Sequence, residues 1–329
     1  PMTYGELVMG PPGAGTTTYC HARQQLLNAI GTKPCIVNLD CANDRLPSLA
    51  SHNIRDFITV EEIMESQELG PNGSMLAAMD DLESQVDVFI EQIRRLGNHE
   101  YFVFDCPGQV ELFTHHSALK TVFQKLEKQL DMRLAVVNLT DSFYITQPNQ
   151  YVSVVLLALR TMLQFNLPQV NVLSKIDLLH NYGKLPFKLD YYLEVQDLDY
   201  LMSTENDNAQ ENGNDPAPKF STRPRIGKLT KAIASLIEDF GLVEFTVLCV
   251  DNKRSMISLL QRIDKANGYL FGSTEVGGDS VWIEATRQGE LEDFDLDDRW
   301  IANKDFWDLK EAAESVENAE PEDELDQFI

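Results

Sequence analysis

The sequence predicts an α/β fold built on a doubly wound, mostly parallel sheet with helical insertions. Apolar β-type runs recur along the chain and alternate with helical patterns, which implies right-handed crossover connections. Most runs are continuously apolar, as expected for strands covered by helices on both faces. The runs are Leu7–Met9, Cys35–Leu39, Tyr101–Phe104, Leu134–Asn138, Val170–Leu173 and Phe245–Val250. The helical patterns cover about residues 17–30, 74–97, 116–130, 150–165, 226–240 and 254–269.

Length and charge predict one large domain followed by an acidic tail. The 329 residues, 43% of them hydrophobic, suffice for a sizeable core. We place the domain at residues 1–283, with a polar, mobile insertion at about 204–225, and the tail at 284–329. The acidic composition of the tail favours a solvated, partly disordered segment over a contact for a basic partner. The net charge of −25 excludes nucleic-acid binding through the bulk field.

The cysteines and apolar runs predict a soluble, intracellular protein. The five cysteines are odd in number and include no C-x-x-C pair, so they predict neither a disulfide framework nor a zinc site. No apolar run approaches the length of a membrane span, and no basic-plus-apolar leader opens the sequence. We therefore expect a cytoplasmic protein without membrane association.

The chain is organised around a glycine-rich loop between the first strand and the first helix. Its residues 10–17 follow the phosphate-binding pattern G-x-x-x-x-G-K-[ST] except at Thr16, where the pattern has lysine. Backbone N–H groups of such a loop converge on a di- or triphosphate, and the Thr17 hydroxyl would bind Mg²⁺. An ordinary turn is the alternative interpretation of Gly-Pro-Pro-Gly. The predicted phosphate-binding residues are Gly10, Pro11, Pro12, Gly13, Ala14, Gly15, Thr16, Thr17 and Thr18.

Two acidic residues at strand ends are placed to serve a metal ion. Asp105 ends the third apolar run, where phosphate sites hold Mg²⁺ directly or through water, and Asp40 ends the second run and would act on metal-bound water. After Asp105, Gly108 lets its N–H approach a γ-phosphate, and Gln109 and Glu111 would orient a water molecule. The alternatives are a Pro-Gly turn after Asp105 and an ordinary turn at Asp40.

A second motif predicts that the bound base is guanine. Ser174, Lys175 and Asp177 match the pattern [NST]-K-x-D at the end of the fifth run. The Asp177 carboxylate can accept hydrogen bonds from N1–H and the exocyclic amine of guanine, a donor pair that adenine lacks. The stem of Lys175 would lie along the base, and backbone amides at Cys249 and Val250 would reach the guanine O6. The alternatives are a charged strand end and, at 249–250, a buried strand with its turn.

Gly70, Pro71 and Asn72 complete the set of motifs. Taken alone, they predict a turn before a helix that starts at Ser74. Together with the phosphate loop, the Asp105–Glu111 segment and the 174–177 motif, they resemble the GPN-loop GTPases, especially the second eukaryotic paralogue group. The same resemblance extends to Leu112–His116, Leu189–Tyr192 and Val276–Asp279.

The resemblance implies a three-layer, Rossmann-like P-loop fold of the SIMIBI class that dimerises around GTP or GDP with Mg²⁺. Asn72 of one subunit would then reach the phosphates held by the other, in a homodimer or in a heterodimer with a GPN-loop paralogue. The implied catalytic residues are Gln109, Glu111, Asn72 and Asp40, and the implied metal ligands are Thr17, Asp105 and Asp40. The resemblance also implies a role in RNA polymerase II (and III) assembly and nuclear import. Its implied partners are polymerase subunits and chaperone machinery, in a cytoplasmic protein that shuttles to the nucleus.

Two departures from the family pattern bear on activity. Thr16 replaces the phosphate-loop lysine, and Cys41 replaces a usual proline. The loss of one charge-assisted hydrogen bond, about 1.5–3 kcal/mol, would weaken nucleotide binding by roughly one to two decades and would impair hydrolysis. The leading hypothesis is a GTP-hydrolysing switch, and the alternative is a non-hydrolysing adaptor that keeps the fold and dimer surface. An ATPase of the same fold class is disfavoured by the guanine motif and by the lack of paired cysteines.

Overall fold

A single parallel sheet forms the centre of the structure, a computed structural model that describes residues 3–43, 50–96, 99, 101–183, 185–202, 224–269, 296 and 298–317. The strands are β1 Thr3–Met9, β2 Pro34–Asn38, β3 His52–Asn53, β4 Tyr101–Asp105, β5 Met132–Asp141, β6 Gln169–Ser174 and β7 Phe245–Leu248. Their order in this seven-stranded sheet is β3–β2–β4–β1–β5–β6–β7, and all neighbours are parallel. The predicted doubly wound sheet is confirmed.

Helices cover both faces of the sheet. They are α1 Thr16–Ala29, α2 Val60–Gln67, α3 Pro71–Ser84, α4 Val86–Arg95, α5 Val110–Thr114, α6 Ala118–Leu130, α7 Pro148–Phe165, α8 Leu189–Leu193, α9 Pro224–Phe240, α10 Lys253–Asn267 and α11 Lys304–Glu317. In β1, Leu7 and Met9 belong to the core cluster with α3, α4 and α6, whereas Val8 belongs to the cluster with α1 and α10. This burial on both faces explains the continuously apolar strands.

The region predicted as one helix over residues 74–97 is two helices, α3 and α4. Gln85 interrupts them with a non-helical backbone (φ −107°, ψ 21°), although its N–H still donates to the Asp81 carbonyl. Neither proline nor glycine marks this break, so the residue pattern carried no signal for it. The helix also begins earlier than predicted, because Pro71 occupies its first turn, where the missing proline N–H is tolerated.

A short strand at one edge of the sheet was not predicted. The strand His52–Asn53 is too short to show a periodicity, and it pairs with the carboxyl end of β2. The helix Val60–Gln67 follows, and the Thr59 side chain caps it by accepting a hydrogen bond from the Glu62 N–H. Asp56 lies exposed within the 3₁₀ helix Ile54–Asp56, which Asn53 caps.

A buried polar cluster joins helices α1 and α10 to the sheet. Arg23 Nε donates to Glu6 Oε1 at 2.9 Å, and Arg23 Nη2 donates to the Tyr101 hydroxyl at 3.0 Å. Asp264 Oδ1 lies 4.0 Å from Arg23 Nη2. Burial raises the pKa of Asp264 to about 8, the Arg23 charge acts to lower it, and Glu6 acts to raise it further. The cluster therefore holds one guanidinium between two carboxyl groups.

The chain segments outside the sheet bear on the predicted domain boundaries. Residues 203–223, most of the predicted insertion, lie outside the described residues, and 224–225 begin α9. Within the predicted tail, Asp298–Ala302 forms a π-helical turn and α11 follows it. All five cysteines are buried, and none forms a disulfide. None of the helices in the described ranges has the length and apolarity required to cross a membrane.

Candidate functional site

The glycine-rich loop follows β1 and leads into α1. Gly13 and Gly15 have left-handed backbones with φ of +85° and +92°, which glycine adopts at little cost. At Gly10 a β-carbon would lie 2.5 Å from the Leu139 carbonyl oxygen of β5, so only glycine fits there. The Ala14 N–H donates to the Pro11 carbonyl at 3.0 Å, which closes the turn. The loop thus arches over the carboxyl end of the sheet and presents the N-terminus of α1, as a phosphate site requires.

The segment after β4 lies against this loop. A β-carbon on Gly108 would lie 3.5 Å from both the Gly10 carbonyl oxygen and the Pro12 nitrogen. Gln109 follows as the residue that precedes α5, half-buried, and Glu111 is exposed in the first turn of that helix. The predicted neighbourhood of the phosphate loop and the Asp105–Glu111 segment is therefore present in the structure.

Asp105 is the most strongly perturbed carboxyl group near the loop. It is 2% exposed, and its Oδ1 is buried without a hydrogen-bond partner. Burial raises the pKa of Asp105 to about 7; a hydrogen bond with Thr17 and one from the Cys20 thiol act to lower it, and the Asp40 charge acts to raise it. Burial also raises the pKa of Asp40, although the Ala42 N–H donates to its Oδ1 at 2.9 Å.

This donor set fits Mg²⁺. The ion commonly binds one or two protein oxygens and completes its shell with phosphate oxygens and water. A buried carboxylate with an unpartnered oxygen next to the Thr17 hydroxyl offers such a pair, and Asp40 is close enough to affect the Asp105 charge. No group of three or more acidic, cysteine or histidine side chains that could hold a metal was found among the described residues. Thr17 and Asp105 would thus hold the ion together with the nucleotide, with Asp40 nearby.

The guanine motif is joined directly to the phosphate loop. Lys175 Nζ donates to the Gly13 carbonyl at 2.6 Å and to Asp141 Oδ2 at 2.8 Å. The Ser174 hydroxyl donates to the Ala14 carbonyl at 2.7 Å. Lys175 has a left-handed backbone with φ of +56°, so this non-glycine residue is held in an unfavourable conformation. Direct hydrogen bonds therefore connect the predicted base-reading segment to the predicted phosphate-binding loop.

Asp141 was not identified from the sequence. It ends β5, in register with Ser174 of β6, and its side chain also accepts a hydrogen bond from the Phe143 N–H at 2.9 Å. The sequence did contain a pattern that could have identified Asp141, because it is an acidic residue at the end of an apolar strand, the same pattern that identified Asp105.

The carboxyl end of β7 lies next to Asp177, the predicted base-reading residue. The pKa of the Cys249 thiol is raised to about 11, chiefly by burial and also by the Asp177 carboxylate, through its charge and by accepting a hydrogen bond from the thiol. The Cys249 N–H donates to the Ser255 hydroxyl at 3.1 Å. Val250 follows, half-buried. The structure therefore brings the 249–250 segment to Asp177.

Arg55 is a further residue that sequence reasoning missed. Its Nη1 donates to the carbonyl of Cys41, and its charge acts to lower the pKa of Asp40. Cys41 itself is fully buried. Arg55 therefore connects the loop after β2 to the 3₁₀ helix Ile54–Asp56. Only the fold reveals this tie, since Arg55 belongs to no motif.

The Gly-Pro-Asn residues lie at the surface. Gly70, Pro71 and Asn72 are all exposed at the N-terminus of α3. The predicted turn is instead the start of the helix: Gly70 precedes it with an extended backbone, and its carbonyl accepts hydrogen bonds from the Ser74 N–H at 2.9 Å and hydroxyl at 3.0 Å. At position 16, the side chain of Thr16 is half-buried in the first turn of α1.

Comparison with known proteins bears on the family of this chain. A family model described as a conserved hypothetical ATP binding protein matches residues 8–269. GPN-loop GTPase 2 of Saccharomyces cerevisiae is 54% identical over 313 residues, which cover 94% of this chain and 88% of that protein. GPN-loop GTPase 2 of Schizosaccharomyces pombe is 44% identical, with coverage of 98% and 99%. GPN-loop GTPase QQT1 of Arabidopsis thaliana is 43% identical, with coverage of 90% and 100%.

A solved structure supports the fold. An apo-form GTPase from Pyrococcus abyssi superposes with a TM-score of 0.63 at 24% identity, over 81% of this chain and 98% of that one. At this level of identity the likeness shows the architecture alone. The sequence relatives carry the family, because their identity is high over nearly the full length of both proteins. On this basis, the chain belongs to the GPN-loop GTPase family.

Proposed function

We propose that this protein is a guanine-nucleotide-dependent switch that binds and hydrolyses GTP with Mg²⁺. The observation that carries the proposal is the direct attachment of the guanine motif to the phosphate loop, through Lys175 on the Gly13 carbonyl and Ser174 on the Ala14 carbonyl. A nucleotide whose phosphates lie on the loop would place its base at the same edge of the sheet, next to Asp177. Named relatives that are GTPases support this reading.

The choice of base follows from the chemistry of Asp177. The matching family model is described as ATP binding, whereas the named relatives are GTPases. The half-exposed Asp177 carboxylate, in the 3₁₀ helix just after β6, can accept hydrogen bonds from N1–H and the exocyclic amine of guanine. Adenine has an acceptor at N1, so the same carboxylate would repel it. We therefore assign guanine nucleotides as the ligand.

At the phosphate end, each residue has a distinct part. Loop N–H groups and the start of α1 would bind the phosphates, and Thr17 with Asp105 would hold Mg²⁺, which neutralises phosphate charge when bound. Gln109 and Glu111, which follow Gly108 on the rim of the loop, would orient the water. In-line transfer of the γ-phosphoryl group depends on positioning and charge stabilisation. The protein would therefore accelerate hydrolysis by holding the phosphates, the metal ion and the water in place.

Thr16 supports a second candidate function, a nucleotide-binding adaptor without turnover. The phosphate-loop lysine is missing, and Lys175 already donates to Gly13 and Asp141. A missing ammonium removes about 1.5–3 kcal/mol of charge-assisted bonding and also charge stabilisation during transfer. The backbone cradle, the Thr17 hydroxyl and the guanine motif would still bind nucleotide.

The test compares the wild-type chain with Thr16→Lys in Mg²⁺-dependent GTP and ATP binding and in steady-state GTP turnover. Asn28→Lys, which adds the same charge at an exposed position of α1, is the matched control. Preference for GTP over ATP with wild-type turnover supports the switch, and turnover in Thr16→Lys alone supports the adaptor. Equal affinity of the wild type for GTP and ATP would contradict the role of Asp177.

The wider role is also proposed. We infer a dimer, with itself or with a GPN-loop paralogue, because the exposed Gly70–Asn72 segment is free to enter a second subunit in the way that the family resemblance implies. The same resemblance supports a cytoplasmic protein that shuttles to the nucleus and acts with chaperones in RNA polymerase II assembly. Nucleotide-dependent dimerisation in solution and co-purification with polymerase II subunits would test this role, and a strictly monomeric GTP-bound chain would contradict it.

A further inference from the structure

The turn Asp298–Ala302, which we call the C-terminal turn, lies against the element that carries the guanine-reading aspartate. That element is the 3₁₀ helix Ile176–Asn181, and Asp177 is its second residue. The two segments are more than a hundred residues apart in sequence. Within a tail whose composition predicts a solvated segment, this contact is unexpected, and it lies beside the base end of the nucleotide site.

A tryptophan anchors the turn. Trp300 is 4% exposed and belongs to the buried cluster that contains Ile176 and Leu179, the two buried residues of the 3₁₀ helix. Leu296 and Ile301, on either side in sequence, pack on the same cluster. A buried tryptophan contributes a large contact area with only two side-chain torsions to fix. Trp300 therefore forms part of the support behind the base-reading element.

Charged groups hold the turn in shape. The Arg299 guanidinium lies 4.2 Å from the centroid of the Trp300 ring, and its Nη2 donates to Asp308 Oδ1 at 2.8 Å. Lys304 Nζ lies 3.2 Å from Asp308 Oδ2, so both cations meet the same carboxylate of α11. These contacts connect α11 to the turn and fix the guanidinium over the indole.

The supported element needs such a partner. A 3₁₀ helix has strained hydrogen bonds and is short, so tertiary packing rather than its own backbone determines its position. Here the helix starts from Lys175 in a left-handed conformation, while Ser142 fixes its first turn by donating to the Lys175 carbonyl at 2.9 Å. Its two buried residues, Ile176 and Leu179, belong to the cluster that includes Trp300.

We propose that the C-terminal turn is a clamp that positions the guanine-reading element, with Trp300 as a positioning residue that sets affinity and specificity for the base. This inference rests on the proposed function, because it assumes that Asp177 reads guanine. Trp300 acts through Ile176 and Leu179 and does not contact the nucleotide. Loss of the clamp lets Asp177 shift relative to the base while the phosphate loop, held by β1 and α1, remains in place.

The test measures base discrimination in the full chain. GDP and IDP differ only in the exocyclic amine, so the ratio of their Kd values reports the hydrogen bond to Asp177 and cancels general losses of affinity. We expect a wild-type preference for GDP of about tenfold or more, as for one charge-assisted hydrogen bond. Trp300→Ala should reduce this ratio to about twofold, and Trp300→Phe should restore most of it, since phenylalanine refills part of the space.

Phe306→Ala is the matched control, since Phe306 is in the same tail but 63% exposed; it should keep the wild-type ratio. A ratio that stays at the wild-type value in Trp300→Ala would overturn the clamp and leave the proposed function intact. A wild-type chain that binds GDP and IDP equally would instead contradict the role of Asp177, and with it both proposals.

A second pair of variants covers the case in which Trp300→Ala does not fold. Arg299→Asp and Asp308→Arg each place like charges together, and the double variant restores an opposite-charge pair with the polarity exchanged. The clamp predicts that each single variant lowers the GDP to IDP preference by about threefold to tenfold and that the double variant recovers part of it, since the exchanged pair restores neither the contact on Trp300 nor the pair with Lys304. Additive losses in the double variant, or unchanged preference in both single variants, would overturn the proposal.

Discussion

Replacement of Lys175 by methionine tests the connection between the predicted base-reading and phosphate-binding segments. Methionine keeps the length and apolarity of the stem but removes the ammonium that donates to the Gly13 carbonyl at 2.6 Å and to Asp141 Oδ2 at 2.8 Å. Hydrogen bonds to charged groups contribute about 1.5–3 kcal/mol when buried. Lys175 is 37% exposed and Asp141 19% exposed, so solvent screening lowers the expected loss of stability to about 1–2 kcal/mol.

The same change should weaken nucleotide binding. Without the ammonium, the Gly13 carbonyl loses its anchor, and the loop must be ordered by the nucleotide itself. A penalty of about 1.4 kcal/mol corresponds to a tenfold higher Kd for GDP. Lys33→Met, at an exposed lysine in the loop before β2, should change neither stability nor Kd. Thermal unfolding and fluorescence titration with a labelled GDP analogue measure the two quantities.

A double-mutant cycle with Asp141→Asn identifies the contact itself. If Lys175 and Asp141 interact as the structure shows, the two changes should be non-additive by about 0.5–1 kcal/mol. Additivity within about 0.3 kcal/mol, or a Lys175→Met variant that behaves like Lys33→Met, would refute the argument that this ammonium joins the two motifs.

Two further predictions concern the fold around the site. Asp264→Asn should flatten the pH dependence of the free energy of unfolding, because the Asp264 carboxyl of the folded protein keeps its proton up to about pH 8. Between about pH 4 and that value, the free energy of unfolding of the wild type should fall relative to that of the variant by up to about 1.4 kcal/mol per pH unit. If the wild type and the variant differ in free energy of unfolding by the same amount at pH 5, 7 and 9, this assignment is contradicted. Gly10→Ala should abolish nucleotide binding and lower the melting temperature, because its β-carbon would lie 2.5 Å from the Leu139 carbonyl oxygen. Gly70→Ala, with no atom within 4 Å of its β-carbon, should have the melting temperature of the wild type. Equal melting temperatures of the two variants would contradict the steric argument at Gly10.

Several features of the site follow from local sequence. The continuously apolar runs give the strands, because burial on both faces of a parallel sheet leaves no polar side. Gly13 and Gly15 indicate a loop with left-handed backbone conformations, and their position between β1 and α1 predicts a phosphate-binding site. Asp105 and the 174–177 motif stand at strand ends, where a parallel sheet gathers its ligand-binding residues. Each of these signals lies within a few adjacent residues, which is why one sequence suffices to find it.

Other features depend on residues that meet only in the folded chain. The break at Gln85 carries no proline or glycine, and the two-residue strand β3 exists because its backbone pairs with β2. The pKa of Asp105 rises to about 7 through burial and the nearby Asp40, which the linear motif does not encode.

The C-terminal segment shows most clearly the difference between what the sequence predicts and what the fold adds. Its acidic composition predicts a solvated tail, and that composition is a property of the sequence alone. Trp300 nevertheless is buried in the cluster that contains Ile176 and Leu179 of the 3₁₀ helix, and Lys175 donates a hydrogen bond to the Gly13 carbonyl. Burial of apolar surface and pairing of polar groups favour such contacts regardless of separation along the chain. Local sequence patterns predict which residues bind phosphate, metal and base. How those residues are held depends on the tertiary structure, since the supporting contacts join segments that no local pattern connects.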